Sequence, residues 1–148
     1  MTTAARPLSL RAILIGAAID IGGTLSASLM IGAVAAIVLL IQGVPPDRMT
    51  EVLRSDSRIL LAGFAYGLVF SFLGAFVAAR LAGQRELTHA VATTAICMPL
   101  GLTLFLLGVG GDAPAWYRPM AYALMVPATL LASAVAQHQN RRAPTTGT

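Results

Sequence analysis

Charge is what this sequence lacks most. Only 11% of its 148 residues are charged, whereas a soluble domain carries about 25%, and that shortage excludes an ordinary cytosolic enzyme domain. Lysine is absent altogether, so all ten cations are arginine. Cys97 is the only cysteine and cannot pair within the chain, which excludes a disulfide scaffold. Disorder is excluded from the other side: it requires low hydrophobicity and high charge, and here 57% of residues are hydrophobic, with a mean hydropathy of +0.78. What the chain does have is apolar sequence in long runs, and an integral membrane protein follows.

The charges fall in short clusters that divide the chain into four apolar segments, about 12–41, 59–81, 87–109 and 116–136. A bilayer core of about 30 Å takes about 20 helical residues, so the last three segments each fit one crossing. The first is longer. At 1.5 Å per residue it reaches roughly 45 Å and must tilt or protrude. Arg6 and Arg11 precede it, and its length favours a retained signal anchor over a cleaved signal peptide. The expected fold class is all-α, a transmembrane four-helix bundle running antiparallel, up and down, as one membrane domain over 1–148. Residues 137–148 read as a flexible polar tail.

Orientation follows from arginine. With the N-terminus inside, Arg6, Arg11, Arg80, Arg85, Arg141 and Arg142 are cytoplasmic and Arg48, Arg54, Arg58 and Arg118 are outside. That bias predicts N-in and C-in in a bacterial inner membrane. Trp116 and Tyr117 then anchor the fourth span at the outer interface. Between the first two spans, Asp47 to Arg58 reads as a helical turn on the outer surface. Gly83 to Glu86 is a tight inner link, and Gly110-Gly111-Asp112-Ala113-Pro114 is a turn with Pro114 near the next helix start.

Helices in lipid gain little from the hydrophobic effect when they associate, so small residues that permit close approach mark contact faces. The second span carries Gly63, Gly67, Ser71, Gly74, Ala78 and Ala82 on one face. This stripe serves packing within the chain, or alternatively a homodimer or a complex with another membrane protein. Shorter ladders are Ser28, Gly32 and Ala36, then Thr93, Cys97 and Gly101, then Ala128, Ala132 and Ala136. Pro99 and Pro127 each remove a helical hydrogen bond and predict kinks, with Thr94 and Thr129 placed to satisfy freed carbonyls.

Few groups carry chemistry. Asp20 interrupts the first span, and a carboxylate there is a functional candidate by default. If Ile21 to Ile41 fills the bilayer, Asp20 instead sits at the inner interface, where structural pairing suffices. Asp20 and Arg80 lie equally far from the outer ends of their segments, which makes them a candidate intramembrane pair, while Arg80 snorkelling to lipid phosphate is the alternative. His89, His138 and Cys97 do not make a metal site, which needs three or four ligands; His89 fits a structural or capping role. Tyr66 and Tyr122 are placed to hydrogen-bond between helices or to fill the core. With no phosphate loop, activated nucleophile, paired intramembrane carboxylates or zinc-protease motif, no catalytic residue, metal or cofactor is expected. The basic pI near 10.2 comes from arginines divided between two faces, so nucleic acid is not an expected partner and the lipid bilayer is.

The segment Gly74-Ala75-Phe76-Val77-Ala78-Ala79-Arg80-Leu81-Ala82-Gly83, followed by Arg85, Glu86 and His89, resembles a pattern of small uncharacterised bacterial four-helix inner-membrane proteins. That resemblance implies a helical membrane protein and supplies no activity. Ala18-Ile19-Asp20-Ile21-Gly22-Gly23-Thr24 is similar to the stretch around the proton- and substrate-binding carboxylate of small multidrug-resistance transporters, with Asp in place of their usual Glu. Here the first helix is longer, the first loop is long and charged, and the aromatic lining is absent. Two functions are therefore expected: a non-enzymatic structural or assembly subunit that packs against membrane partners or itself, or a dimeric proton-coupled small-molecule transporter using Asp20.

Overall fold

A computed structural model describes residues 7–107 and 114–142. It contains α1 (Leu10–Ile41), α2 (Pro46–Ser55), α3 (Ser57–Ala82), α4 (Glu86–Leu106) and α5 (Tyr117–Arg142). Among the described residues there is no strand. All except α2 are long and apolar enough to cross a membrane, so the chain is an all-α membrane protein with four candidate spans. The expected polar tail starts later than its composition suggests, because α5 continues through 137–142. Arg6, the turn at 110–113 and the tail at 143–148 lie outside the described residues.

Local chemistry sets the helix ends. Ser9 caps α1 by accepting the Ala12 N–H at 3.3 Å. The helix ends where Gly43 takes the left-handed conformation, with φ of 75°, and the Val44 N–H returns to the Leu39 carbonyl. Pro45-Pro46 then starts α2, Pro46 standing where a helix needs no N–H. The Asp56 carboxylate caps α3 by accepting the Arg58 N–H at 2.7 Å. Gly83 ends α3 in the left-handed region. Two residues later Arg85 has φ of 51°, a strained value for a side chain with a Cβ, and its carbonyl receives the His89 N–H.

The most extensive contact is between α1 and α3. The two backbones meet at Gly16 and Gly74, where a Cβ on either residue would stand 2.5 Å from the other's carbonyl oxygen. Asp20 pairs with Ser71 and Gly23 lies against Phe70. Numbers rise on one helix as they fall on the other, so this pair is antiparallel. α3 also packs on α4 and α5, α4 touches α1 and α5, and α1 and α5 do not meet. In cross-section, α3 and α4 form the middle of a rhombus with α1 and α5 at its far corners.

The α1–α3 register settles how the long first segment is accommodated. Val34 and Ala35 stand beside Arg58 and Ile59 at the start of α3. The last turns of α1 therefore project beyond α3, by about 10 Å at 1.5 Å per residue, and α2 folds back there.

Four helix ends lie together at the opposite, basal end. The His89 ring accepts the Ser9 N–H on Nε2 at 3.0 Å and faces the Arg85 carbonyl with Nδ1 at 3.0 Å, which places the ring proton on Nδ1. His89 thus closes the start of α1 against α4, the structural role expected of it. Arg80 on α3 donates to Asn140 on α5, and Asn140 donates to Glu86 on α4 at 3.0 Å. Above this network Ala75, Ala79, Ala90, Ala132 and Ala136 form the core, covered by Phe72 and Phe76.

Candidate functional site: an acidic cleft within the membrane

Asp20 is 5% exposed, although it lies on a lipid-length apolar helix. Ser71 on α3 donates to its Oδ1 at 2.9 Å, and Cys97 on α4 lines the same cleft. Three helices therefore meet at one carboxylate. Ser71 is near the middle of α3, about 21 Å from its start, so Asp20 sits at mid-depth of the bundle rather than at its basal end.

The expected pair of Asp20 with Arg80 is not formed. The assumption behind it was that the two apolar segments begin level at the outer side. The projecting end of α1 shifts the register, leaving Arg80 about 14 Å along α3 from Ser71 and bonded to Asn140 instead. Ser71, the identified hydrogen-bond partner of Asp20, is neutral, and so is Cys97 beside it. Burying a carboxylate in that setting costs several kcal/mol unless a proton or a cation neutralises it.

Asp20 lines the floor of a cleft of about 240 Å³ whose walls come from all four long helices. Thr24 and Ser28 continue up α1 from the carboxylate. Leu104 belongs to α4, and Tyr117 and Tyr122 to α5. The cleft opens toward the distal half, away from the alanine core.

This cleft divides the small-residue stripe of α3. Gly74 and Ala78 are buried against α1, where the Gly16–Gly74 approach leaves no room for a side chain. Ser71 bonds to Asp20. Gly63 and Gly67 line the cleft: a Cβ on Gly63 would reach the Tyr117 hydroxyl at 3.9 Å, and one on Gly67 would meet nothing within 4 Å. Ala82, at the basal end, is half-buried. The stripe is thus a contact face in one half and a hollow in the other. Missing side chains produce both outcomes, so spacing could not separate them.

Other candidates are also relocated. Tyr117 lines the cleft and makes an edge-on contact with Phe64, ring centroids 5.5 Å apart, so it is a cleft wall, with exposed Trp116 beside it. Tyr122 faces the cleft while Tyr66 faces a groove between α1 and α3, so the two do not meet. Thr94 and Thr129 bond to each other at 2.8 Å. Because the Thr129 hydroxyl donates to the Met125 carbonyl at 2.8 Å, Thr94 is the donor in that pair. The two threonines tie α4 to α5 rather than serving the carbonyls that Pro99 and Pro127 free. His138 is exposed, and no cluster of three metal-ligating side chains occurs among the described residues.

Sequence reasoning named Asp20 but missed its neighbours. Ser71 was one member of a packing stripe and Cys97 one rung of a ladder. The available signal was that each is the hydrogen-bonding member of an otherwise apolar face near mid-span. Fold and site together define a class, a membrane protein with an acidic cleft among four apolar helices. No protein-family model, curated protein or solved structure matches the chain.

Proposed function

We propose that the protein is a non-enzymatic, multi-pass protein of the bacterial inner membrane that binds a small solute at Asp20 in exchange for a proton, the transporter reading. The spans alternate up and down, with both termini in the cytoplasm. The shared basal network of Ser9, Arg80, Glu86, His89 and Asn140 supports that alternation, and the arginine bias supports the orientation. The single observation that carries the function is a carboxylate at the mid-depth of the helix bundle, hydrogen-bonded to the neutral Ser71 and lying on the floor of a cleft. A proton or a cationic solute neutralises it, and competition between the two is the basis of coupling. All four walls belong to one chain, so each copy holds a complete site.

Proteoliposomes with an acidified lumen and an internal pH dye test this reading against a panel of amines, amino acids and sugars. A solute that drives proton efflux with the native chain but not with Asp20→Asn is the expected result. Absence of solute-driven proton movement, or equal movement with Asp20→Asn, removes it.

The second reading, a structural or assembly subunit, is favoured by a separate observation. Ala18, Gly22 and Ser26 form an exposed small-residue ladder on α1, and nothing lies within 4 Å of a Cβ on Gly22. A second copy or another membrane helix fits such a face. Purification in mild detergent tests it, and a strictly monomeric, partner-free protein counts against it.

A further inference from the structure

A second depression lies on the outside of the α1–α3 pair and shares no residue with the Asp20 cleft. It is a groove of about 510 Å³ lined on α1 by Gly23, Ser26, Met30 and Val34 and on α3 by Ala62 and Tyr66, among others. Its deep end is closed by Phe70, whose ring rests on Gly23 so closely that a Cβ there would overlap it. Its distal end is marked by Arg58, exposed in the first turn of α3. Between these ends the lining is almost entirely apolar.

From these features we infer that the groove holds one acyl chain of a membrane phospholipid, with the lipid phosphate at Arg58. Length supports the assignment. Phe70 to Arg58 is about 18 Å along α3, close to the 15 Å or so that one leaflet contributes to a bilayer core of about 30 Å. Phe70 thus ends the groove near the midplane, where an acyl chain ends, and Arg58 stands at headgroup level. Charge complementarity supports it too: the groove has a cation at its rim and none along its length, the pattern of a headgroup with a tail. The Asp56 carboxylate accepts the Arg58 backbone N–H as the α3 cap, and Arg58 is exposed at the groove's rim. With the N-terminus inside, as proposed above, the lipid belongs to the outer leaflet. The groove itself does not depend on orientation.

Native mass spectrometry of the full chain in detergent, with added phosphatidylglycerol, tests the inference. One retained lipid per chain is expected. Arg58→Gln should lower retention by about fivefold, the ratio corresponding to about 1 kcal/mol per cation at a membrane surface. Ala62→Phe and Ser26→Phe, which fill the groove from its two walls, should abolish retention with helix content unchanged by circular dichroism. If one of them unfolds the chain, the other still decides. Leu130→Phe, on the exposed side of α5, should leave retention as in the native chain. Equal retention across the native chain, Arg58→Gln and a folded groove-filling variant overturns the inference, as does a dimer that carries no lipid.

Discussion

The basal and distal halves of the bundle are built from the same small residues and do opposite things with them. At the basal end Gly16 and Gly74 bring two backbones into contact, and Ala78, Ala79, Ala90, Ala132 and Ala136 are essentially fully buried. In the distal half Gly63, Gly67 and Gly101 line a cleft, and a Cβ on Gly67 or Gly101 would meet open space. Close packing in lipid rests on dispersion and direct interhelical bonds, so the basal half supplies the bundle's cohesion. The distal half gives up that contact and gains a cavity with a carboxylate at its base. A small residue in a membrane helix therefore has no fixed meaning until its neighbour is known. The boundary between the two uses lies at Ser71, the one polar member of the stripe and the partner of Asp20.

Substitutions that fill or empty each half test the contrast. The largest effect is expected for Gly74→Val, whose Cβ lands on the Gly16 carbonyl and next to Asp20. A loss of about 3 kcal/mol, the upper range for overpacking, should appear as an earlier unfolding midpoint in SDS mixed micelles. His89→Ala comes next. His89 is 1% exposed and bonded through both ring nitrogens, so losing its volume and the Ser9 bond should cost about 2 kcal/mol. Hydrogen exchange should rise at the start of α1 in particular. Gly67→Ala should go the other way: with nothing to strike, it gains up to about 1 kcal/mol of helix propensity while narrowing the cleft. A loss as large as that of Gly74→Val would break the contrast, because it would mean that the distal half is closed. The smallest effect belongs to the Thr94–Thr129 tie. A double-mutant cycle with Thr94→Val and Thr129→Val should return a coupling of about 0.6 kcal/mol, and zero coupling would mean that the tie contributes nothing to holding α4 on α5.

Much of the architecture was legible in the sequence because it depends on length and hydropathy alone. Four long apolar segments separated by charge become four apolar helices, since in a bilayer the backbone has no other partner for its hydrogen bonds. The tight link expected at Gly83 is where α3 ends, through chemistry confined to a few neighbouring residues. The depth of Asp20 was a different kind of question. It was estimated by aligning segment ends, and that alignment fails because α1 projects past α3, which no property of either segment alone reveals. The same error created the pair with Arg80, whose actual partner, Asn140, is sixty positions away on a helix expected to have ended. Tyr117 reads as an interface residue by type, and only packing against Phe64 adds that it is a cleft wall.

The sequence by itself determined that this chain is a membrane protein with four candidate spans and that one carboxylate lies among apolar residues. Each of these depends on the residue's own transfer free energy or on its near neighbours. Tertiary structure alone decided which residues stand beside Asp20, that its level is the middle of α3, that α1 projects at one end, and which half of the glycine stripe packs and which half is empty. These are matters of register between helices, and register is set by where two backbones can come closest, here at Gly16 and Gly74.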